Sequence, residues 1–382
     1  MVKLILLSSS VVWDSKTKSV RSDVLQALKR AKESGVQIDV VSIHAKPPWI
    51  DQTGGVVGFF SCWGADRNSG RFVDQLIKDN KNIGLKKSEI LVLGAKDADF
   101  FMAVNSQTLL VTAKWLPDLE LKIKNYGVGI GTPASINLVL RLLESKQPWY
   151  FQSHTQAPKI YALTDAGTIG VTDQPTRQAI EALKSCLKDG LQKRKAAFNV
   201  HLLSSLNVTE EFRRAKWWGW YPSSQSSDSV MEDFTTLART TFKRREYGPI
   251  FIRHRAAQKR HIQRGAVRTD PSGQLETIHI NPEYKGRLKG ESVVILDDYL
   301  TYGLSFGVAN AMLRKAGTND VICVAMGKFG NRAQSYEINI SGDVFKPMTS
   351  GDFELVEFDF LAGEVETKAQ LDFVDKFATS IR

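Results

Sequence analysis

Cysteine is scarce in this chain. There are three in 382 residues, Cys62, Cys186 and Cys323, far apart and odd in number. That argues against a disulfide framework and a cysteine zinc site, and it fits a reducing cytoplasm. Long apolar runs are missing too: none approaches the roughly 20 residues of a membrane-spanning helix, so no membrane partner is expected. The opening MVKLILLSSSVVWD has a single lysine and no Ala-x-Ala-like cleavage site, so it reads as the first core strand rather than a signal peptide. Compositional bias is absent, with 42% hydrophobic and 24% charged residues, as in an ordinary globular protein. Negative charge is in deficit: 51 Lys and Arg stand against 41 Asp and Glu, a net charge of +10. Such a balance favours anionic partners, whether nucleic acid or a small polyphosphate.

The most informative stretch is Ser292 to Gly317, SVVILDDYLTYGLSFGVANAMLRKAG. Val293 to Leu296 is a β-branched apolar run of the kind that forms a strand buried on both faces. Two carboxylates follow, Asp297 and Asp298, then a glycine turn, Thr301-Tyr302-Gly303-Leu304-Ser305. A helical pattern is predicted from Phe306 to Ala316, ending at Gly317. Val321 to Met326 completes a β-α-β unit. A loop closing at a helix N-terminus gathers backbone N–H groups and positive dipole into one concavity, which suits a phosphate. Gly303 permits close approach of backbone to ligand. The two acids are explained if the phosphate carries a ribose, whose hydroxyls donate to carboxylates.

VVILDDYLTYGLS resembles the phosphoribosyl-diphosphate (PRPP) signature of type I phosphoribosyltransferases. The resemblance implies that Asp297 and Asp298, the catalytic pair, hold the ribose hydroxyls. It also implies that Thr301, Tyr302, Gly303, Leu304 and Ser305 form the 5′-phosphate loop, and that Mg²⁺ accompanies the diphosphate. Tyr302 departs from the pattern, standing where a second Thr is usual. Upstream, AKWWGWYPSSQ (215–225) followed by a helical pattern from Met231 to Phe242 is similar to the diphosphate-binding stretch of the ComF-like branch. It implies Ser223 and Ser224 as diphosphate donors, while Trp217, Trp218, Trp220 and Tyr221 read equally as core aromatics. The basic run from Arg253 to Arg268 matches the position of the loop that closes over PRPP, with Arg253, Arg255 and Lys259 facing the diphosphate. A solvated basic segment and a nucleic-acid patch are the other readings of that run.

The first part of the chain alternates strands with helices: strands at Lys3–Leu7, Gln37–Ser42, Glu89–Leu93 and Thr108–Thr112, helices from Ser22, Phe72 and Phe100. Its spacing resembles the haloacid-dehalogenase (HAD) superfamily. Val41-Ser42 matches the second motif, and GLKKSEILVLGAKDADFFMAVN the segment around the fourth. The departures decide chemistry: Ser8 and Ser10 stand where an Asp-x-Asp is expected, and Ala95 replaces an acid after Gly94. No motif lysine is evident, with Arg71 the nearby cation. Without the carboxylate nucleophile and the carboxylates that hold Mg²⁺, phosphatase activity is expected to be absent. Asp97 and Asp99 remain, and read either as acids that hold a ligand or, more simply, as solvated turn acids.

The fold class expected is α/β with two parallel-sheet domains, a degenerate HAD-like domain over 1–150 and a phosphoribosyltransferase domain over 151–382. The expected function is transfer of a phosphoribosyl group between PRPP, or a ribose 5-phosphate nucleotide, and a nitrogenous base, by a cytoplasmic homo-oligomer. The alternative is a non-catalytic PRPP- or nucleotide-sensing regulator or nucleic-acid binder. Fusions of this kind resemble components of prokaryotic nucleoside-modification or phage-defence gene clusters.

Overall fold

The computed structural model describes residues 1–144, 148–154, 158–189, 194–224, 229–257 and 270–378. The chain is mixed α/β and builds two six-stranded sheets and smaller two-stranded ones. The first large sheet takes β1 (Leu4–Leu7), β2 (Gln37–Ser42), β3 (Gly58–Ser61), β4 (Ile90–Gly94), β5 (Leu109–Ala113) and β6 (Val128–Ile130), in the order β3-β2-β1-β4-β5-β6. All of its neighbours run parallel. β1 and β4 are apolar without alternation and buried at every position, as strands covered on both faces must be. Helix α1 (Ser22–Glu33) turns Val24, Ala27, Leu28 and Ala31 inward at helical spacing. Helices α2 (Asp97–Ser106) and α3 (Ser135–Leu142) follow β4 and β6.

Beyond residue 150 come β7 (Phe151–Ser153), β8 (Lys159–Asp165), β9 (Trp217–Trp220), β10 (Phe251–Arg253), β11 (Ile278–Ile280), β12 (Ser292–Leu300), β13 (Asp320–Lys328), β14 (Ala333–Ile340), β15 (Phe353–Leu361) and β16 (Glu364–Val365). The second large sheet has the order β9-β12-β13-β8-β7-β16. β9, β12, β13 and β8 run parallel, and β7 and β16 are antiparallel additions. β10 pairs with β11, and β14 with β15, as antiparallel ribbons outside it.

Alternate residues of the second sheet enter different cores. Trp217, Val293, Ile295, Val321 and Cys323 pack with Val308, Ala309, Met312 and Leu313 of helix α7 (Leu304–Lys315). Trp218, Trp220, Val294, Leu296, Ile322 and Val324 face the other way, toward helices α4 (Gln174–Asp189), α5 (Lys195–Val208) and α6 (Ser229–Thr241). That second core also contains Leu7, Val40 and Leu93 of the first sheet. Helix α5 sits between the sheets, touching β6 and α3 on one side and β8 on the other. Its buried residues lie on every side, Phe198, Leu202, Leu203 and Leu206 together with His201, Ser204 and Ser205, which suits a helix enclosed all round. Each such side chain contributes about 1.5–3 kcal/mol. The tryptophans 217, 218 and 220 are all buried, so they are core aromatics and offer no stacking surface.

The stretch from Val344, whose sequence alternates poorly and predicts a closing helix from Val365 without assigning a role, supplies β15, β16 and helix α8 (Thr367–Ala378). Helix α8 packs on α4, and its Phe373 stacks on His201 of α5 with ring centroids 4.4 Å apart. No helix among the described residues is long and apolar enough to cross a membrane.

Candidate functional site

The acid pair ends the buried part of β12. Asp297 is opposite Ala325 of β13 and is 9% exposed, whereas Asp298 is exposed. Each carboxylate accepts a hydrogen bond from the next backbone N–H: Asp298 N donates to Asp297 Oδ1 at 2.9 Å, and Tyr299 N to Asp298 Oδ1 at 2.7 Å. The strand runs on to Leu300, past the expected end of the apolar run. Tyr299 packs against the core opposite to the one that holds Ile295, meets the Phe329 ring at a tilt with centroids 5.0 Å apart and has a buried hydroxyl with no partner among the described residues. Burial, with Asp298 and Cys186 adding to it, pushes its phenol well up from the usual range.

Thr301 and Tyr302 are exposed, Tyr302 by 41%. Gly303 has φ +92°, in the left-handed region, and caps α7, which starts at Leu304, two residues before the predicted Phe306. A side chain at 303 would put its Cβ 2.9 Å from the carbonyl oxygen of Gln334, so both backbone conformation and space require glycine. The turn is held from outside by β14, where Gln334 N donates to Tyr302 O at 2.9 Å. Ser305 is the second residue of α7. At the far end Arg314 donates to the carbonyls of Thr318 and Asn319, leaving the positive end of the dipole at the acid-bearing turn.

The second predicted element arrives at the same edge. β9 lies beside β12 with Trp220 opposite Leu296, and Tyr221 N donates to Leu296 O at 2.8 Å. The chain therefore leaves the sheet next to the acid pair, placing Ser223 (exposed) and Ser224 (half-buried) in the adjoining loop. Arg253 does not point out as a solvated cation. It donates to Thr277 Oγ1 at 2.6 Å and to Pro222 O and Gln274 Oε1 at 3.0 Å each, bracing the 221–224 loop against β10 and β11. Arg255 is exposed and pairs with Glu276 at 3.1 Å. Lys259 lies outside the described residues, as does most of the basic run.

Sequence reasoning passed over Lys328. It ends β13 opposite both Asp165 and Leu300, and it is fully buried. Its Nζ donates to the carbonyls of Phe329 at 3.2 Å and Arg332 at 2.5 Å and lies 5.1 Å from the Phe151 ring. Burial pulls its ammonium down to about 8, against the opposing effect of Asp165. Phe329 N in turn donates to Leu300 O, so Lys328 fixes the turn that abuts the 300–303 loop. The visible signal was a lysine closing an otherwise apolar strand, VICVAMGK.

At the carboxyl edge of the first sheet, Asp99 is completely buried, not a solvated turn acid. It accepts from Ser8 Oγ, from Nη2 of Arg67, and from the backbone N–H groups of Ala95 and Lys96 at 3.0 Å each. Arg71, the cation singled out from sequence, pairs instead with Asp66 at the surface. Asp97 accepts from Lys122 N at 2.7 Å and Ile123 N at 3.3 Å, capping the helix Leu121–Tyr126. With one acid saturated by Arg67 and the other by a helix end, these residues do not fit Mg²⁺. Among the described residues no group of three or more His, Cys, Asp or Glu side chains is placed to hold a metal ion.

No family model matches the sequence, and no curated protein matches it. Among the solved structures similar to part of the chain are the following two. One is 3-deoxy-D-manno-octulosonate 8-phosphate phosphatase from Moraxella catarrhalis, in complex with magnesium ion, phosphate ion and KDO molecule. It is 12% identical over 36% of this chain and 85% of that one, with a TM-score of 0.28. The other, described as a HAD family hydrolase from Streptomyces avermitilis, is 14% identical over 35% of this chain and 82% of that one, also with a TM-score of 0.28. Both likenesses fall on the N-terminal region.

Proposed function

We propose that the carboxyl edge of the second sheet binds PRPP, or a ribose 5-phosphate nucleotide, and transfers the phosphoribosyl group to or from a nitrogenous base. One observation carries this reading. The 221–224 loop and the Asp297–Ser305 turn, 70 residues apart and more, leave neighbouring parallel strands at one edge. That edge is where open α/β sheets take their ligands. The turn at the start of α7 suits a 5′-phosphate, the carboxylates of Asp297 and Asp298 accept the ribose hydroxyls, and Ser223 and Ser224 are placed for the diphosphate.

In the transfer the bond from ribose C1 to the diphosphate oxygen breaks, the diphosphate leaving with the electron pair. The base nitrogen forms the new bond with its own lone pair. The residues orient both partners and keep water from C1 as it gains positive charge. Asp297 and Asp298 are positioning groups, not nucleophiles. Mg²⁺, when bound, neutralises diphosphate charge. The acid pair together with substrate phosphates is the usual Mg²⁺ donor set, needing no all-protein cage. The first sheet is read as a HAD-like fold without phosphatase chemistry, because Arg67 and a helix end occupy its remaining acids.

A second reading, a non-catalytic sensor of the same ligand, is favoured by Tyr302 alone, an exposed ring in the phosphate loop. Calorimetric titration with PRPP and Mg²⁺ tests both readings, beside the Asp297→Asn, Asp298→Asn double variant. Binding by the wild type, weakened about tenfold or more in the variant, supports the site. Diphosphate release with any of a panel of bases then separates enzyme from sensor. Equal binding by both proteins, or none by the wild type, overturns the assignment.

A further inference from the structure

The ribbon of β14 and β15 leaves one strand edge unused. Among the described residues β15 pairs with β14 alone over its nine residues, FELVEFDFL. Phe358 and Phe360 alternate along it and are exposed by 45% and 60%; Val356, also exposed, is the bulged residue between the Glu337–Glu357 and Ile338–Leu355 pairs. The two phenylalanines share the face of Tyr336, which lies opposite Phe358 and packs beneath Gly307 of α7. Tyr336 is covered by the helix, whereas Phe358 lies beyond it. An open groove of about 650 Å³ runs between α7 and the ribbon, with Ala311, Arg314, Tyr336, Ile338 and Phe358 among its walls.

The other face of β15 carries Glu357 and Asp359. Glu357 stands directly opposite Glu337 of β14, a like-charge cross-strand pair that costs stability. No cation pairs with Glu337, Glu354, Glu357 or Asp359 among the described residues, although the chain as a whole is strongly basic. Natural edge strands are blunted by charged residues, lysine above all, by proline, by bulges or by cover. This one has a bulge and acidic residues but no lysine or proline, so what guards it is negative charge.

We infer that the free edge of β15 is a docking site for an extended, cationic strand of a partner protein, in which apolar residues alternate with lysine or arginine. Backbone pairing would add the third strand to the ribbon. The partner's apolar side chains would cover Phe358 and Phe360, and its cations would meet Glu357 and Asp359 and relieve the Glu337–Glu357 opposition. A second copy of this chain fits less well. Antiparallel pairing of β15 with itself about its centre sets Glu357 against Glu357, doubling the uncompensated charge.

The probe is a fluorescein-labelled nonapeptide alternating lysine and valine, titrated into the full chain by fluorescence anisotropy. A glutamate–valine peptide and a proline-interrupted peptide of equal positive charge serve as controls. The lysine–valine peptide is expected to bind in a salt-sensitive way, to slow amide exchange along β15, and to bind about tenfold or more weakly to Glu357→Lys. That variant removes the like-charge pair, so its Tm should equal or exceed the wild-type value, and misfolding would not explain the loss. Equal binding of the proline-interrupted peptide, or unchanged affinity in Glu357→Lys, overturns the inference. Self-association of the chain that disappears in Glu357→Lys would assign the edge to a second copy and overturn it as well.

Discussion

Arg67 and Asp99 form a buried ion pair at the carboxyl edge of the first sheet, joined there by the hydroxyl of Ser8. Two backbone N–H groups complete the shell of Asp99, so its charge is fully answered from within the protein. A carboxylate held this way, with a guanidinium against it, is a structural anchor and a poor ligand for a metal cation.

Truncation of one partner leaves a buried charge unanswered. Arg67→Ala is expected to lower stability by about 3–5 kcal/mol in urea denaturation, and Arg67→Ala combined with Asp99→Asn to recover part of that loss. Millimolar Mg²⁺ should leave the Tm of the ligand-free chain unmoved. A clear rise would show that the acids of this edge are available to metal after all.

Gly303 tests the phosphate loop without touching a charged group. Gly303→Ala places a Cβ in the left-handed region and 2.9 Å from Gln334 O. The strain is expected to cost about 1–3 kcal/mol in thermal or urea unfolding, and the displaced turn should weaken PRPP binding in calorimetry.

Lys328 predicts a pH dependence with a definite sign. Burial draws its ammonium from 10.5 to about 8 in the folded chain. Below pH 8 both states carry the proton, and the folded state bears the full penalty of a buried charge. Between about 8 and 10.5 the unfolded chain holds more protons, so stability rises with pH, by about 3 kcal/mol in all. The neutral amine keeps two N–H donors for the carbonyls of Phe329 and Arg332. Urea unfolding across this range should show the rise in the wild type and its loss in Lys328→Met.

Tyr302→Thr replaces a phenol at the end of a bulky ring with a hydroxyl close to the loop backbone. Under the phosphoribosyl reading it should tighten PRPP binding by about 0.5–1.5 kcal/mol in the calorimeter. Tyr302→Ala should change binding little, because the backbone donors of the turn remain. A large loss in Tyr302→Ala would make the ring itself a ligand contact.

The elements at this site were largely legible in the sequence. A β-branched run, two acids, a glycine turn and a helical period are local signals, and β12 and α7 stand where those signals lie. The helix began two residues early because Gly303, in the left-handed conformation, caps it at once. Arg253 was harder to place. Its charge suggested an outward-facing cation, but the carbonyl and hydroxyl oxygens that turn it inward belong to Pro222, Gln274 and Thr277, which only the folded chain brings together.

By itself the sequence determined which stretches are buried strands and where the helix-initiating turn falls. Those features follow from side-chain chemistry and from spacing along the chain. Tertiary structure decided what depends on distance across it: that Arg67 rather than Arg71 answers Asp99, that the apolar stretch after Lys195 becomes a helix shared by both sheets, and that Lys328 is buried beside the loop at Gly303. Partners in a buried network are chosen by proximity in three dimensions, and the order of residues carries no measure of that.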